Sequence, residues 1–238
     1  MRSVRPLPNS PLMHPRLVAL IERLPEARTR FESARARYAE IRTRALRESA
    51  LSAWFEGPHH APTPLALQRM GIEPAPPMRR EPAPGARAHA CRYGLGSDGR
   101  IRVEQHFTEF VERAYEEFWE YADEEIRTSR YDHYEPDKDP INVQTVLLAR
   151  AGEMRRPEAL IRYAQHGVAL EAYEYDPARP HLLRRVHAAA SEHDPASPQH
   201  RWMTTIDDIH HAADGALLRI VRTWDTGSSE TIYPADAA

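Results

Sequence analysis

The residues of this chain best suited to chemistry cluster near its end, in Asp207-Asp208-Ile209-His210-His211 with Asp214 close behind. Imidazole and carboxylate side chains together suit a divalent metal ion. In an extended strand Asp208 and His210 share one face, while Asp207, Ile209 and His211 share the other. Two or three ligands on one face fall short of a catalytic zinc centre, so His187, His193 or His200 would have to complete it. Two readings stand: a metal-dependent hydrolase using Asp208, His210 and His211, or polar residues on the solvated side of a hairpin in a chain with 13 histidines.

Other reactive groups stand in poorer surroundings. His59-His60 lies in a proline-rich stretch, where nothing in the sequence fixes a ligand geometry. The run Tyr131-Asp-His-Tyr-Glu-Pro-Asp-Lys-Asp-Pro140 reads as a solvated, proline-bounded acidic loop. Cys91 is the single cysteine, which excludes an internal disulfide and a multi-thiolate metal site. A nucleophilic cysteine needs a supporting base, and none is identifiable. There is no P-loop, dinucleotide-binding glycine motif, nucleophile elbow, HExxH helix or EF-hand loop. No cofactor is expected.

The aromatic residues offer binding instead of catalysis. Trp119 and Tyr121, like Tyr173 and Tyr175, are two positions apart and share a face if their segments are strands. With Tyr131 they are the candidate partner-binding residues if that face is open, and core if helices cover it. Tyrosine suits interfaces because it offers a large area with a polar tip at small entropic cost.

The elements that must position these groups follow from periodicity. Leu17, Leu20, Ile21 and Leu24, then Phe31, Ala34, Tyr38, Ile41, Ala45 and Trp54, predict helix over residues 14–55, with Pro25 opening a second helix or kinking one. Eight of the 21 prolines fall in residues 56–88, predicting an irregular connector. Nine of the ten tyrosines lie beyond it, as expected of paired strands. The division expected is a helical region over 1–56, a proline-rich linker over 57–92 and an antiparallel β domain over 93–238.

Within that domain one phrase recurs: an apolar run, a short turn, then a second alternating run. It begins at Tyr93, Trp119, Ile161 and Ile209, with Asp98-Gly99 and Asp214-Gly215 as the clearest hairpin turns. Phe107 to Ala122 also fits helical spacing, but the neighbouring copies favour two hairpin arms. Tyr175-Asp176 followed by Leu182-Leu-Arg-Arg-Val186, and Ala213-Asp-Gly-Ala-Leu-Leu-Arg-Ile220 before Thr223-Trp224, resemble the tyrosine-aspartate hairpins of YD (RHS-type) repeat proteins. That resemblance implies a scaffold of hairpins and transfers no catalytic residue. The fold expected is α+β: N-terminal helices, then a mostly antiparallel β-hairpin meander forming one twisted sheet.

Charge divides along the chain. Residues 1–92 hold 16 arginines against 8 glutamates, a net of +8, whereas residues 93–238 hold 16 basic against 27 acidic side chains, a net of −11. Such asymmetry points to charged partners or to one half docking on the other. Glutamates interleave with the helical arginines, which argues against nucleic acid. The bias of 31 arginines to one lysine suggests a GC-rich bacterial genome. No apolar run nears the ~20 residues of a membrane span, and the start shows no apolar signal core, so a cytoplasmic location is expected. An acidic sheet with aromatic faces resembles in style the immunity proteins that neutralise bacterial toxins. The leading reading is therefore a non-enzymatic protein-binding module whose partner could be a basic toxin domain.

Overall fold

A computed structural model describes residues 13–110, 113–134, 138–195, 197–198 and 200–234. Among the described residues two α-helices come first: α1, Pro15–Ile21, and α2, Leu24–Glu48. Proline occupies the first turn of each, where its missing N–H removes nothing that the helix would have used. Among the described residues no helix is long and apolar enough to cross a membrane.

Among the described residues twelve strands follow: β1 Leu51–Phe55, β2 Cys91–Leu95, β3 Ile101–Phe107, β4 Ala114–Tyr121, β5 Glu125–Tyr131, β6 Pro140–Ala151, β7 Met154–Ala164, β8 Gly167–Tyr175, β9 Leu183–Ser191, β10 Met203–His211, β11 Leu217–Trp224 and β12 Ser229–Tyr233. Each pairs with the next in chain order, giving one sheet that does not close into a barrel. The expected α+β meander is what forms. All four repeated phrases are hairpins: β2–β3, β4–β5, β7–β8 and β10–β11.

Turn chemistry explains the hairpins locally. Gly99 and Gly215 hold φ of 75° and 90°, which residues with a Cβ rarely adopt. The preceding Asp98 and Asp214 carboxylates accept the N–H groups of Arg100 and Ala216, at 3.1 and 2.9 Å.

One expectation changes. Helix was predicted to residue 55, but α2 stops at Glu48. The Ser49 hydroxyl donates to the Ala45 carbonyl, and residues 51–55 pair with β2. Burial of Trp54 with Ala90 and Phe107 outweighs the helical spacing that the segment also satisfies. The proline-rich connector packs on the sheet. It leaves the sheet at β1, bridges back to Phe55 through Pro77 and buries Thr63, Leu67 and Arg69 before entering β2.

The sheet is thus covered on two sides. On one, α2 crosses strands from β2 to β7 and α1 sits on β8 and β9. Leu17, Leu24, Ala34 and Ile41 pack there against Val103, Phe118, Val143, Ile161 and Leu170. Helical arginines meet sheet carboxylates: Arg16 with Glu158 at 3.3 Å, Arg35 with Asp139 at 3.3 Å, Arg42 with Glu116 at 3.4 Å and Arg44 with Glu120. The opposite charges of the two halves therefore meet inside one molecule. On the other side, Leu65 of the connector packs on Val146, Leu160, Tyr173, Val186 and Ile209.

Candidate functional site

The open aromatic surface lies at one end of the sheet, where β3 turns into β4 and β5 leads into β6. The β3–β4 turn is held by Thr108, whose N–H donates to the Arg113 carbonyl at 2.9 Å and whose hydroxyl accepts the Phe110 N–H at 3.2 Å. That brace presents the Phe110 ring outward, 55% exposed. After β5, the Asp132 carboxylate accepts the Tyr134 N–H at 3.1 Å, a local turn that aspartate favours. Tyr134 is 58% exposed.

Between them lies a ladder of rings. Phe110 stacks on His133 with centroids 6.2 Å apart and planes 6° from parallel. His133 also meets Tyr134 at 4.4 Å and the edge of Tyr115 at 4.8 Å. The Arg130 guanidinium lies 5.6 Å from the Tyr115 ring, within cation–π range. Among the described residues the buried Nδ1 of His133 has no hydrogen-bond partner. The single lysine is turned inward: Lys138 Nζ donates to the Ala114 carbonyl at 2.5 Å and lies 3.6 Å from Glu116. Among the described residues of the two segments, Glu109, Asp132 and Asp139 are acidic, against Arg113 and the inward-turned Lys138.

The aromatic residues singled out from spacing are placed differently. Trp119, Tyr131 and Tyr173 are buried and so offer a partner no surface, a correction to the expected partner face. The reason is that the sheet is covered or curled over at these strands, so a shared strand face is not an exposed face. Tyr131 donates to the Ala34 carbonyl of α2 at 2.9 Å. Tyr121 and Tyr175 are half-buried under arginines, Arg100 at 5.1 Å from the first ring and Arg156 at 4.1 Å from the second.

Nor does the structure draw Asp208, His210 and His211 into one centre. Asp208 accepts from Arg185 at 2.6 Å. Both ring nitrogens of His211 lie against carbonyls, of Gly215 at 3.2 Å and Leu183 at 2.8 Å, while His210 and His211 line a cavity of about 190 Å³. His59 stacks on Phe55, and the N–H groups of His59 and His60 donate to the Tyr93 hydroxyl. Cys91 is buried, and burial pushes its thiol up, away from the reactive thiolate.

Two charged clusters lie on the connector side. Arg69 donates through Nε to Asp207 at 2.8 Å and through both terminal nitrogens to Glu171, while Arg222 reaches Asp207 at 2.7 Å. Burial opposes ionisation of both carboxylates, but these bonds outweigh it and hold Asp207 and Glu171 below the usual range. In the second cluster the compensation falls short: the charge of Arg130 and a hydrogen bond with Tyr93 favour ionised Glu104 but do not offset its burial. Glu104 and Glu117 stand directly opposite in β3 and β4. Burial first, and the Glu117 charge second, push Glu104 up to about 8. No protein-family model matches the chain, and the search of curated proteins returned no relative.

Proposed function

We propose that this chain is a non-enzymatic protein-binding module of a bacterial cytoplasm that takes a basic protein partner at the Phe110–Tyr134 end of its sheet. One observation supports this above the others: the stacked ladder of Phe110, His133, Tyr134 and Tyr115 is exposed at its two outer rings and is flanked in sequence by the acidic Glu109 and Asp132. Protein interfaces concentrate aromatic rings in a core ringed by polar groups, and acidic surroundings steer a basic partner and speed its arrival. Neutralisation of a toxin, as by an immunity protein, is the specific form of this proposal, because a basic nucleic-acid-binding cleft would present the matching surface.

Co-purification of the tagged full chain from its native cells tests the reading. A basic protein should be retained at low salt, released as salt rises, and lost when Phe110→Ala and Tyr134→Ala are combined. Equal retention by that double variant would refute it.

A further inference from the structure

A second cluster joins residues far apart in sequence. His14 is the N-cap of α1, Glu174 lies in β8 and His187 in β9. The register sets His187 opposite Ala172 and Arg185 opposite Glu174, making Glu174 and His187 diagonal neighbours on one face. Docking of α1 lays the His14 ring over that of His187, with centroids 4.3 Å apart. Glu174 Oε1 is 2.9 Å from His187 Nε2 and 3.5 Å from His14 Nε2. One ligand atom from each residue lies within 4.8 Å of the other two.

These separations suit three ligands of one ion. With metal–ligand bonds of about 2.0–2.2 Å, tetrahedral neighbours stand about 3.3 Å apart. His187, the innermost of the three, is more than nine-tenths buried. Arg184 reaches the other oxygen of Glu174 at 3.2 Å, orienting Oε1 towards the imidazoles. His14 and Glu174 stay 23% and 28% exposed, which leaves a path from solvent.

We propose that His14, Glu174 and His187 form a three-ligand site for a divalent transition-metal ion, with zinc as its representative, which fastens α1 to β8 and β9. Two imidazoles and a carboxylate are a zinc donor set, and three protein ligands leave a fourth position for water. Cations nearby, Arg16, Arg184 and Arg185, oppose the ion and moderate its affinity. Binding also has a local cost. His14 Nδ1 accepts the Arg16 N–H at 3.2 Å, and ligation through Nε2 moves the ring proton to Nδ1 and ends that cap.

The test uses the full chain stripped with a chelator, then titrated with zinc by calorimetry and with cobalt(II) by visible absorption. Expected are one equivalent bound, the absorption bands of four-coordinate cobalt, a higher melting temperature with zinc, and a shifted Arg16 amide resonance. His14→Ala, a change at a partly exposed cap that leaves the buried strands intact, should weaken binding at least about tenfold and abolish the melting shift. A combined His210→Ala, His211→Ala variant should bind as the wild type does. The proposal is overturned if the wild type binds no stoichiometric ion, if His14→Ala binds as tightly, or if the double variant is the one that loses binding.

Discussion

Glu116 and Glu117 are neighbours in β4 that face opposite sides of the sheet, and the two sides treat a carboxylate in opposite ways. On the helix side Glu116 accepts from the Tyr38 hydroxyl at 2.6 Å and from Gln105 at 2.8 Å, with Lys138 and Arg42 beside it. Burial works against its charge, but these partners outweigh burial and hold it below the usual range. On the connector side Glu117 accepts from Gln144 at 3.2 Å and faces Glu104, which is pushed up to about 8. At Glu116 the covering helix brings Tyr38 and Arg42, and Gln105 and Lys138 complete the set of partners. The side covered by the connector supplies them fully at Arg69, whereas at Glu104 those present, Arg130 and Tyr93, do not offset burial and the Glu117 charge.

The sharpest way to break this comparison is at Arg69. Arg69→Ala leaves Glu171 and Asp207 buried with less compensation and should destabilise the chain by about 3–5 kcal/mol in urea unfolding. A loss below about 1 kcal/mol would show that Arg222 alone suffices.

Glu116→Gln should lower stability at neutral pH by about 1–3 kcal/mol, because Lys138 and Arg42 lose their buried counter-charge. Its folded pKa is depressed, so this contribution is present above the unfolded value and fades as pH falls through the folded one. Variant and wild type should therefore converge in acid.

Glu104→Gln should behave in the opposite sense, raising stability at neutral pH by on the order of 1 kcal/mol. Here the folded pKa is raised: the contribution of the protonated group is complete below the unfolded value near 4.5 and is lost as pH climbs through about 8. The gap between variant and wild type should widen over that window; a gap independent of pH would contradict the assignment.

The smallest expected effect on stability is at the aromatic end. Phe110→Ala and Tyr134→Ala should each shift the melting free energy by no more than about 0.5 kcal/mol, since both rings are exposed. Those two residues should matter to binding alone.

Turn chemistry made the hairpins legible before the structure, because Asp98-Gly99 and Asp214-Gly215 need no tertiary context. Strand β1 was not, since Trp54 continues the helical stripe as well as it fills a strand, and its burial against Phe107 comes from more than 50 residues away. Alternation revealed that Tyr173 and Tyr175 share a face, but not that a connector over 100 residues upstream covers it. Phe110 and Tyr134 emerge as the open rings because the β3–β4 turn and the segment after β5 meet at one end of the sheet. His14, Glu174 and His187 have no local spacing at all, being joined only when α1 docks.

Photo-crosslinking tests the central claim most directly. A benzophenone amino acid placed at position 134 of the full chain, in cells that express it, should yield an adduct with one basic protein on illumination. The same probe at the exposed Leu218, in strand β11, should yield none. An identical adduct from both positions, or none from position 134, would contradict the assignment of the Phe110–Tyr134 end as the partner surface.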